Sequence, residues 1–504
     1  MKYYNKQPTL ENVIQSIIDN NFGRNKTVMK FVQRINQIIS CDEITNSFSI
    51  SLDGEWGAGK TFFVKQVMLA LILKSNCIDT KFYSHLKIDE ETKNKLLDSL
   101  NQAEQAVSLN DQGILTTQEK FTLPVIPIYY DAWKYDNTNE PVLSLINEMV
   151  NSINSLKGLH GKSDVKEGLS GILSGLLRTV NMSYTINNNI AVGIDGNGLA
   201  DSLSAFKNFE RPDYLSMFSE EDEIHTAIKK LFEKLMGKEK NKLVIFIDEL
   251  DRCKPSYAVT LLERIKHFFD NENIIFVFST NLKQLSNTVK NAYGMYFDSD
   301  RYLDRFFDIK FNLPEINVVS YLNYLECNPQ NMDLTIIISL FQHFKLTIRE
   351  INFFWTNYNL SRPLAYKLNQ SDPYGLSKKN TYSITRFLIP LITIIKICRC
   401  SDYESFINGN KTDLFIDPLE KFQKDLETYF DIDFDDPKAD ITPEKENIRT
   451  FLSQLYFAIF AKEKCNEKLI KTYNLTSFYN NRQRITSILL ECTSLISENN
   501  AIDL

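Results

Sequence analysis

Hydrophobic and polar positions fall into two regimes along the 504-residue chain. Up to about residue 315, short apolar runs alternate with stretches of helical periodicity. Beyond about 317 the period is helical throughout. Within 9–40, Val13, Ile17 and Ile18 recur at helical spacing. The alternating run Ser47–Asp53 (SFSISLD) predicts a strand that enters a Gly-rich turn, and a helix follows from about Lys60 to Lys74. The polar, helical stretch 89–108 is expected to leave the core. Val125–Tyr130 (VIPIYY) predicts a second strand, followed by DAWKY and a helix near 141–157. Lys242–Asp248 (KLVIFID), Asn273–Thr280 (NIIFVFST) and a short segment near 307–313 (FDIKFNL) predict three more strands, with helices at 219–237, 255–270 and from 282. Strands alternating with helices imply a parallel sheet covered on both faces.

Residues 158–205 change character. Gly168, Gly171 and Gly175 punctuate a small apolar segment. Val180, Met182, Tyr184 and Ile186 then alternate with polar residues, and after Asn187–Asn189 so do Ile190, Val192 and Ile194. Two period-two runs joined by an Asn turn predict a β-hairpin with one apolar face, carried as an insertion. The expected division is an N-terminal helical segment (1–45), an α/β core (46–315) with insertions at about 76–122 and 158–205, and an α-helical lid and C-terminal region (316–504) with polar loops near 368–381 and 431–444. No internal repeat of fixed period is visible.

Composition narrows the class. Hydrophobic residues make up 43% and charged residues 24%, which excludes disorder and collagen-like order. With 57 basic against 64 acidic residues and a net charge of −7, the chain is not one that coats nucleic acid by charge alone, although a local basic groove stays open. Only fifteen of the basic residues are arginines, so each is worth noticing. Eight cysteines form no CxxC pair, and none of the five histidines has metal-ligand spacing beside them. Buried free thiols, including the close pair Cys398 and Cys400, and a reducing cytoplasmic compartment are expected. The N-terminal MKYYNKQPTLENV has no apolar core of the signal-peptide kind. The most apolar run, Phe387–Ile395, lies between Arg386 and Lys396 and falls well short of the ~20 residues a bilayer needs, so it reads as a core helix.

The chemistry begins where the first strand ends. Gly54–Thr61 (GEWGAGKT) matches GxxxxGK[ST] after a strand and opening a helix. Gly54, Gly57 and Gly59 let the backbone of Gly54, Glu55, Trp56, Gly57, Ala58 and Gly59 turn and bring its N–H groups onto phosphate oxygens, while the helix start at Lys60, Thr61 and Phe62 adds partial positive charge. Lys60 reaches the β- and γ-phosphates, and Thr61 offers a hydroxyl to Mg²⁺. A second apolar strand ends in acids, LVIFIDELDR. Asp248 at its tip suits Mg²⁺, and Glu249 is placed to polarise an attacking water as general base. Asp251 is an alternative base, and the blander reading is that Glu249, Asp251 and Arg252 cap the following helix and pair with one another.

Three further positions carry two readings each. Asn281, after the fourth strand, either senses the γ-phosphate or lytic water, or starts the next helix as a turn residue. Arg301 and Arg305, four apart and so expected on one helical face, serve a neighbouring subunit's γ-phosphate or pair with Asp298, Asp300 or Asp304. Arg349 in FKLTIREINFF is either a second sensor on a helical lid or a surface residue. No NKxD-type guanine reader is present in these loops, which favours adenine.

The order of these motifs resembles the KAP P-loop NTPases, a family named after a neuronal ankyrin-repeat membrane scaffold and a plasmid-encoded phage-exclusion protein. The matching pieces are DGEWGAGKT, IPIYYDAWKY, FIDELDRC with its following KP, FVFSTN, YLDRFFDIKFNLP and LTIREI, spread over about two-thirds of the chain. The resemblance implies an ASCE-type core with an additional strand between the two nucleotide strands, acid-catalysed ATP hydrolysis and a helical C-terminal lid. Family members often carry transmembrane helices between the phosphate loop and the acidic strand. Here the insert at 158–205 is too short and too polar for that, and contact with a protein partner or a second copy fits it better.

Three functions follow as expectations. The first is a cytoplasmic, oligomeric, Mg²⁺-dependent ATPase that switches or drives an assembly, in the anti-phage setting the resemblance implies. The second is a scaffold that binds ATP with little turnover. The third is a nucleic-acid-processing ATPase, against which the net acidity and the absence of a nuclease constellation speak. The basic segments Lys462–Lys471 and Arg482–Arg484 read as solvated faces.

Overall fold

The computed structural model describes residues 7–41, 43–75, 78, 86, 88–108, 124–138, 141–156, 241–269, 271–325, 332–358, 383–430, 432 and 444–499. The expected hairpin insertion at 158–205, the helix at 219–237, the loop at 368–381 and most of the 431–444 loop lie outside the described residues. The chain divides into two compact units. One comprises Pro8–Asn20 with Arg24–Pro314, and the other Met1–Gln7, Asn21–Gly23 and Glu315–Leu504.

The first unit is built on five parallel strands: β1 (Phe48–Asp53), β2 (Val125–Asp131), β3 (Lys242–Asp248), β4 (Ile274–Thr280) and β5 (Ile309–Asn312). Their order across the sheet is β2-β3-β4-β1-β5, so β4 separates the two strands that end in the phosphate loop and the acidic cluster. Alternation along each strand assigns side chains to two faces. Leu243, Ile245 and Ile247 join Ile126, Ile128, Tyr130, Ile274, Phe276 and Phe278 in one core. Val244 and Phe246 join Val125, Ile275, Val277, Ile50 and Leu52 in the other. Because both faces are buried, the central strands read as continuous apolar runs, and β4 is buried at every position.

Helices cover each face. On the second lie α1 (Leu10–Ile18), α2 (Asn25–Ile39), α3 (Lys60–Lys74) and α4 (Glu90–Ser108). On the first lie α5 (Pro141–Leu156), α6 (Pro255–Phe268) and α7 (Leu282–Tyr293), followed by the short α8 (Ser299–Leu303). The aromatic rings of Phe31, Phe63 and Phe311 close the β5 edge, with centroids 5.0–6.2 Å apart. The stretch containing α4 does not leave the core as its polarity suggests. Leu96, Leu100 and Ala103 form a narrow stripe that packs into the second-face cluster.

The second unit is helical wherever it is described. Its most apolar helix, Ile389–Cys398, follows a π turn at Ile384–Leu388 and is buried from Ile389 to Ile395, a core helix as expected. Among the described residues no helix is long and apolar enough to cross a membrane. Phe406, Phe415, Tyr456 and Phe460 form a ring cluster, and the Tyr456 hydroxyl donates to the Phe406 carbonyl at 2.5 Å. Five described cysteines are unpaired, but burial was over-expected: Cys253 is buried, Cys400 is exposed, and Cys41, Cys398 and Cys465 are half-buried. Cys400 starts a new helix one residue after the apolar one ends, which carries its side chain to the surface.

Candidate functional site

All five strands run the same way, so their carboxyl ends meet along one edge of the sheet, where open α/β sheets place their ligands. Register aligns Asp53 with Thr280, Ser279 with Asp248, and Asp248 with Asp131. Every sequence-assigned residue of the phosphate loop and the acidic cluster lies on this edge.

The loop from Gly54 to Gly59 is held by its own backbone. The Gly54 N–H donates to the Thr280 carbonyl at 3.3 Å, and the Ala58 N–H to the Glu55 carbonyl at 3.1 Å. Gly57 and Gly59 have φ of 81° and 85°, a region that Cβ-bearing residues disfavour. A Cβ at Gly54 would lie 3.4 Å from both Leu313 and the Lys60 stem. Lys60 opens α3 and is buried. Its ammonium donates to the Gly54 carbonyl at 2.7 Å and the Glu55 carbonyl at 3.2 Å. Burial lowers its pKa, opposed by Asp251, Asp248 and Glu249. The cation therefore sits folded over the loop amid three carboxylates. Phe62 points the other way, half-buried against the second-face core.

Asp248 is fully buried. Burial raises its pKa, and hydroxyls on its neighbours Ser279, Thr61 and Tyr129, with the Glu249 N–H, pull it back towards the charged form. The Tyr129 hydroxyl donates to Oδ2 at 3.1 Å and the Glu249 N–H to Oδ1 at 3.0 Å. One carboxylate and the Thr61 hydroxyl make a small set of hard oxygen donors. Such a set suits Mg²⁺, which keeps several waters and binds through few protein groups plus phosphate. Among the described residues no cluster of three or more His, Cys, Asp or Glu could cage a metal by itself.

Glu249 stands next to this pair in a left-handed conformation, φ 62°, which costs roughly 1–2 kcal/mol for a side chain of this kind. Burial and then the Asp248 charge push its carboxyl up to about 7. Its carboxylate is ion-paired with Arg252, whose guanidinium lies 5.5 Å from the centre of the Trp133 ring. Asp251 does not pair with Arg252. It is buried, and its two oxygens accept from Trp56 Nε1 at 2.5 Å and from the Thr280 hydroxyl at 3.1 Å. The acidic turn thus clasps the phosphate loop through an indole and β4 through a hydroxyl.

Asn281 lies at the tip of β4, and its side chain accepts from the Gln284 N–H at 3.1 Å as the N-cap of α7. Arg301 lies in α8, but Arg305 falls in the turn after it, so the two do not share a helical face. Both are exposed, and among the described residues neither forms an ion pair, Asp304 being taken by Lys310. Arg349 is exposed on the helix at 348–358 of the second unit.

Sequence reasoning assigned no role to three residues that touch the site: Tyr129, Trp133 and Arg24, whose Nη1 donates to the Ala58 carbonyl at 2.9 Å. DAWKY was legible as a motif, but its work comes from pairing. The Ala132 N–H donates to the Asp248 carbonyl at 3.0 Å, which brings Trp133 up to Arg252. No spacing rule reports such contacts. For Arg24 the signal was its rarity as an arginine beside a glycine just before a helix.

A family model for the KAP family P-loop domain matches residues 28–357, well over half of the chain. No curated protein matches it. The matched span runs from α2 through all five strands into the helix at 348–358, and takes in the phosphate loop, the acidic strand and the strand between them. The chain belongs to the KAP family of P-loop NTPases.

Proposed function

We propose that this NTPase is an Mg²⁺-dependent ATPase that acts as a switch or assembly motor, works as a homo-oligomer in the cytoplasm, and serves anti-phage defence. The observation that carries the hydrolytic reading is the buried Asp248 beside Lys60 and Thr61, with Glu249 next in the chain. In this reading the loop N–H groups and Lys60 bind the phosphates of ATP. Thr61 and Asp248 would hold Mg²⁺, which supplies neutralisation of phosphate charge when bound. Glu249 orients a water and takes its proton, a role suited to a carboxyl raised to about 7. Asp251 keeps the loop in register with β4.

Support for the oligomer comes from Arg301 and Arg305, both exposed and without an ion pair among the described residues, and so available to a neighbouring active site. The insertion at 158–205 is the proposed contact for a protein partner. The anti-phage setting rests on the family resemblance.

A second reading, an ATP-binding scaffold with little turnover, is favoured by one observation. The Glu249 carboxylate is held by Arg252 and is not free to act as base until that pair opens. ATP turnover by wild type and Glu249→Gln across a protein concentration series separates the readings. The ATPase reading expects turnover per subunit that rises with concentration and is lost in Glu249→Gln while ATP still binds. Turnover untouched by Glu249→Gln would overturn the role of Glu249, and ATP binding with no turnover at any concentration would favour the scaffold.

A further inference from the structure

Arg24 immediately precedes α2 and is 4% exposed. Among the described residues no carboxylate pairs with it, and burial alone lowers its pKa to about 10. Nη1 donates to the Ala58 carbonyl at 2.9 Å, and Nη2 to the Pro314 carbonyl at 2.5 Å. Nε is buried and has no hydrogen-bond partner among the described residues. A buried cation without a counter-charge is costly, so its retention beneath the phosphate loop calls for a compensating interaction.

The peptide geometry shows what Arg24 does there. Ala58 and Gly59 are joined by a trans peptide, as no cis bond occurs among the described residues, so the Ala58 C=O and the Gly59 N–H point in opposite directions. A guanidinium that draws the Ala58 oxygen to itself turns the Gly59 N–H away from itself. Gly59, at φ 85°, is the one residue between this peptide and Lys60. Pro314 lies just after β5, the neighbour of β1, and the Leu313 N–H donates to the Asp53 carbonyl at 2.8 Å. The second prong of Arg24 therefore anchors to backbone that is already tied to the strand from which the loop springs.

We infer that Arg24 is a positioning residue of the nucleotide site: its fork fixes the Ala58–Gly59 peptide in the orientation that receives a polyphosphate, and its uncompensated positive charge is balanced by that anion. The inference rests on the nucleotide-binding reading above and adds a determinant outside the phosphate loop. A planar fork is required, because an ammonium on a flexible stem acts as a point charge and does not hold two carbonyls in a fixed geometry.

The test uses the full chain with Arg24→Lys and Arg24→Gln, measuring Kd for a fluorescent ATP analogue, KM and kcat for ATP, and melting without nucleotide. Arg24→Lys is expected to weaken binding roughly tenfold, as for one lost charge-assisted hydrogen bond, and Arg24→Gln more, on the order of 100-fold. KM is expected to rise in parallel while kcat stays within about threefold, because Arg24 does not touch reacting atoms. Folded variants that melt lower yet keep the wild-type Kd and KM would overturn the inference and leave Arg24 a purely structural residue. A fall in kcat with KM unchanged would also overturn it. Failure of wild type itself to bind the analogue would instead remove the nucleotide reading, and this inference with it. Should Arg24→Gln fail to fold, Arg24→Lys alone decides, since it keeps the charge and loses only the fork.

Discussion

The two units use most of their charged side chains in different ways. In the NTPase unit, Lys60, Asp248, Asp251 and Arg24 are all buried, and the first three converge on the carboxyl edge of one sheet. In the helical unit Arg386 is buried too, but other charged residues tie down helix ends and surfaces. Arg482 donates to the Ile459 and Phe460 carbonyls at the end of the helix Glu444–Phe460. Lys464 donates to the Gly409 carbonyl and Asn410, and Arg449 pairs with Asp417 and Glu420. Buried charge is expensive, and in the NTPase unit three such groups share one site, whereas charge at a helix terminus stabilises by satisfying orphan carbonyls. Arg482 and Lys464, within the basic segments, are engaged by their own fold.

This difference predicts where substitutions act. Lys60→Ala should have the largest effect, lowering ATP turnover by about 10²–10³-fold and weakening ATP binding, with melting close to wild type; steady-state hydrolysis and calorimetry check both. Phe406→Ala, at the centre of the second unit's ring cluster, should do the reverse. It should destabilise that unit by about 3–5 kcal/mol in denaturant unfolding and leave nucleotide affinity of the folded protein unchanged. If it changed affinity as strongly as stability, the contrast between the two units would fail.

Smaller effects sharpen the contrast within the NTPase unit. Tyr129→Phe removes only the hydroxyl that donates to Asp248, and the expected result is a roughly tenfold higher Mg²⁺ concentration for half-maximal ATP binding, read by titrating Mg²⁺ at fixed nucleotide. Trp56→Phe keeps a ring and deletes the donor to Asp251. About a threefold rise in KM is expected, since one neutral donor to a carboxylate is lost beside an otherwise intact loop.

How much of this was legible follows from how far apart in sequence the partners lie. The phosphate loop, β1, α3 and β3 were readable because their chemistry is contiguous. The strand ends in glycines, the lysine follows at a fixed offset, and the acids close an apolar run. The position of β4 between β1 and β3 came from resemblance, since strand order is not written in any local pattern. The stretch containing α4 was misjudged because many polar residues flank a stripe of only a few apolar ones, so average polarity hid its packing. The pairing of Arg301 and Arg305 on one face failed because α8 ends at Leu303, and a five-residue helix leaves no second turn to carry Arg305. Tyr129 to Asp248, Trp56 to Asp251 and Arg24 to Ala58 are separated by 119, 195 and 34 residues. Only the folded sheet brings them together.

The central claim is that the edge of the sheet where Asp53, Asp248 and Thr280 end their strands is a nucleotide site. Its most direct test is the shift in melting temperature of the full chain on adding MgATP, for wild type beside Lys60→Ala. A ligand that binds only the folded state stabilises it by RT ln(1 + [L]/Kd). The account predicts a clear upward shift for wild type and little or none for Lys60→Ala, from similar starting temperatures. No shift in wild type, or an equal shift in both proteins, would contradict it.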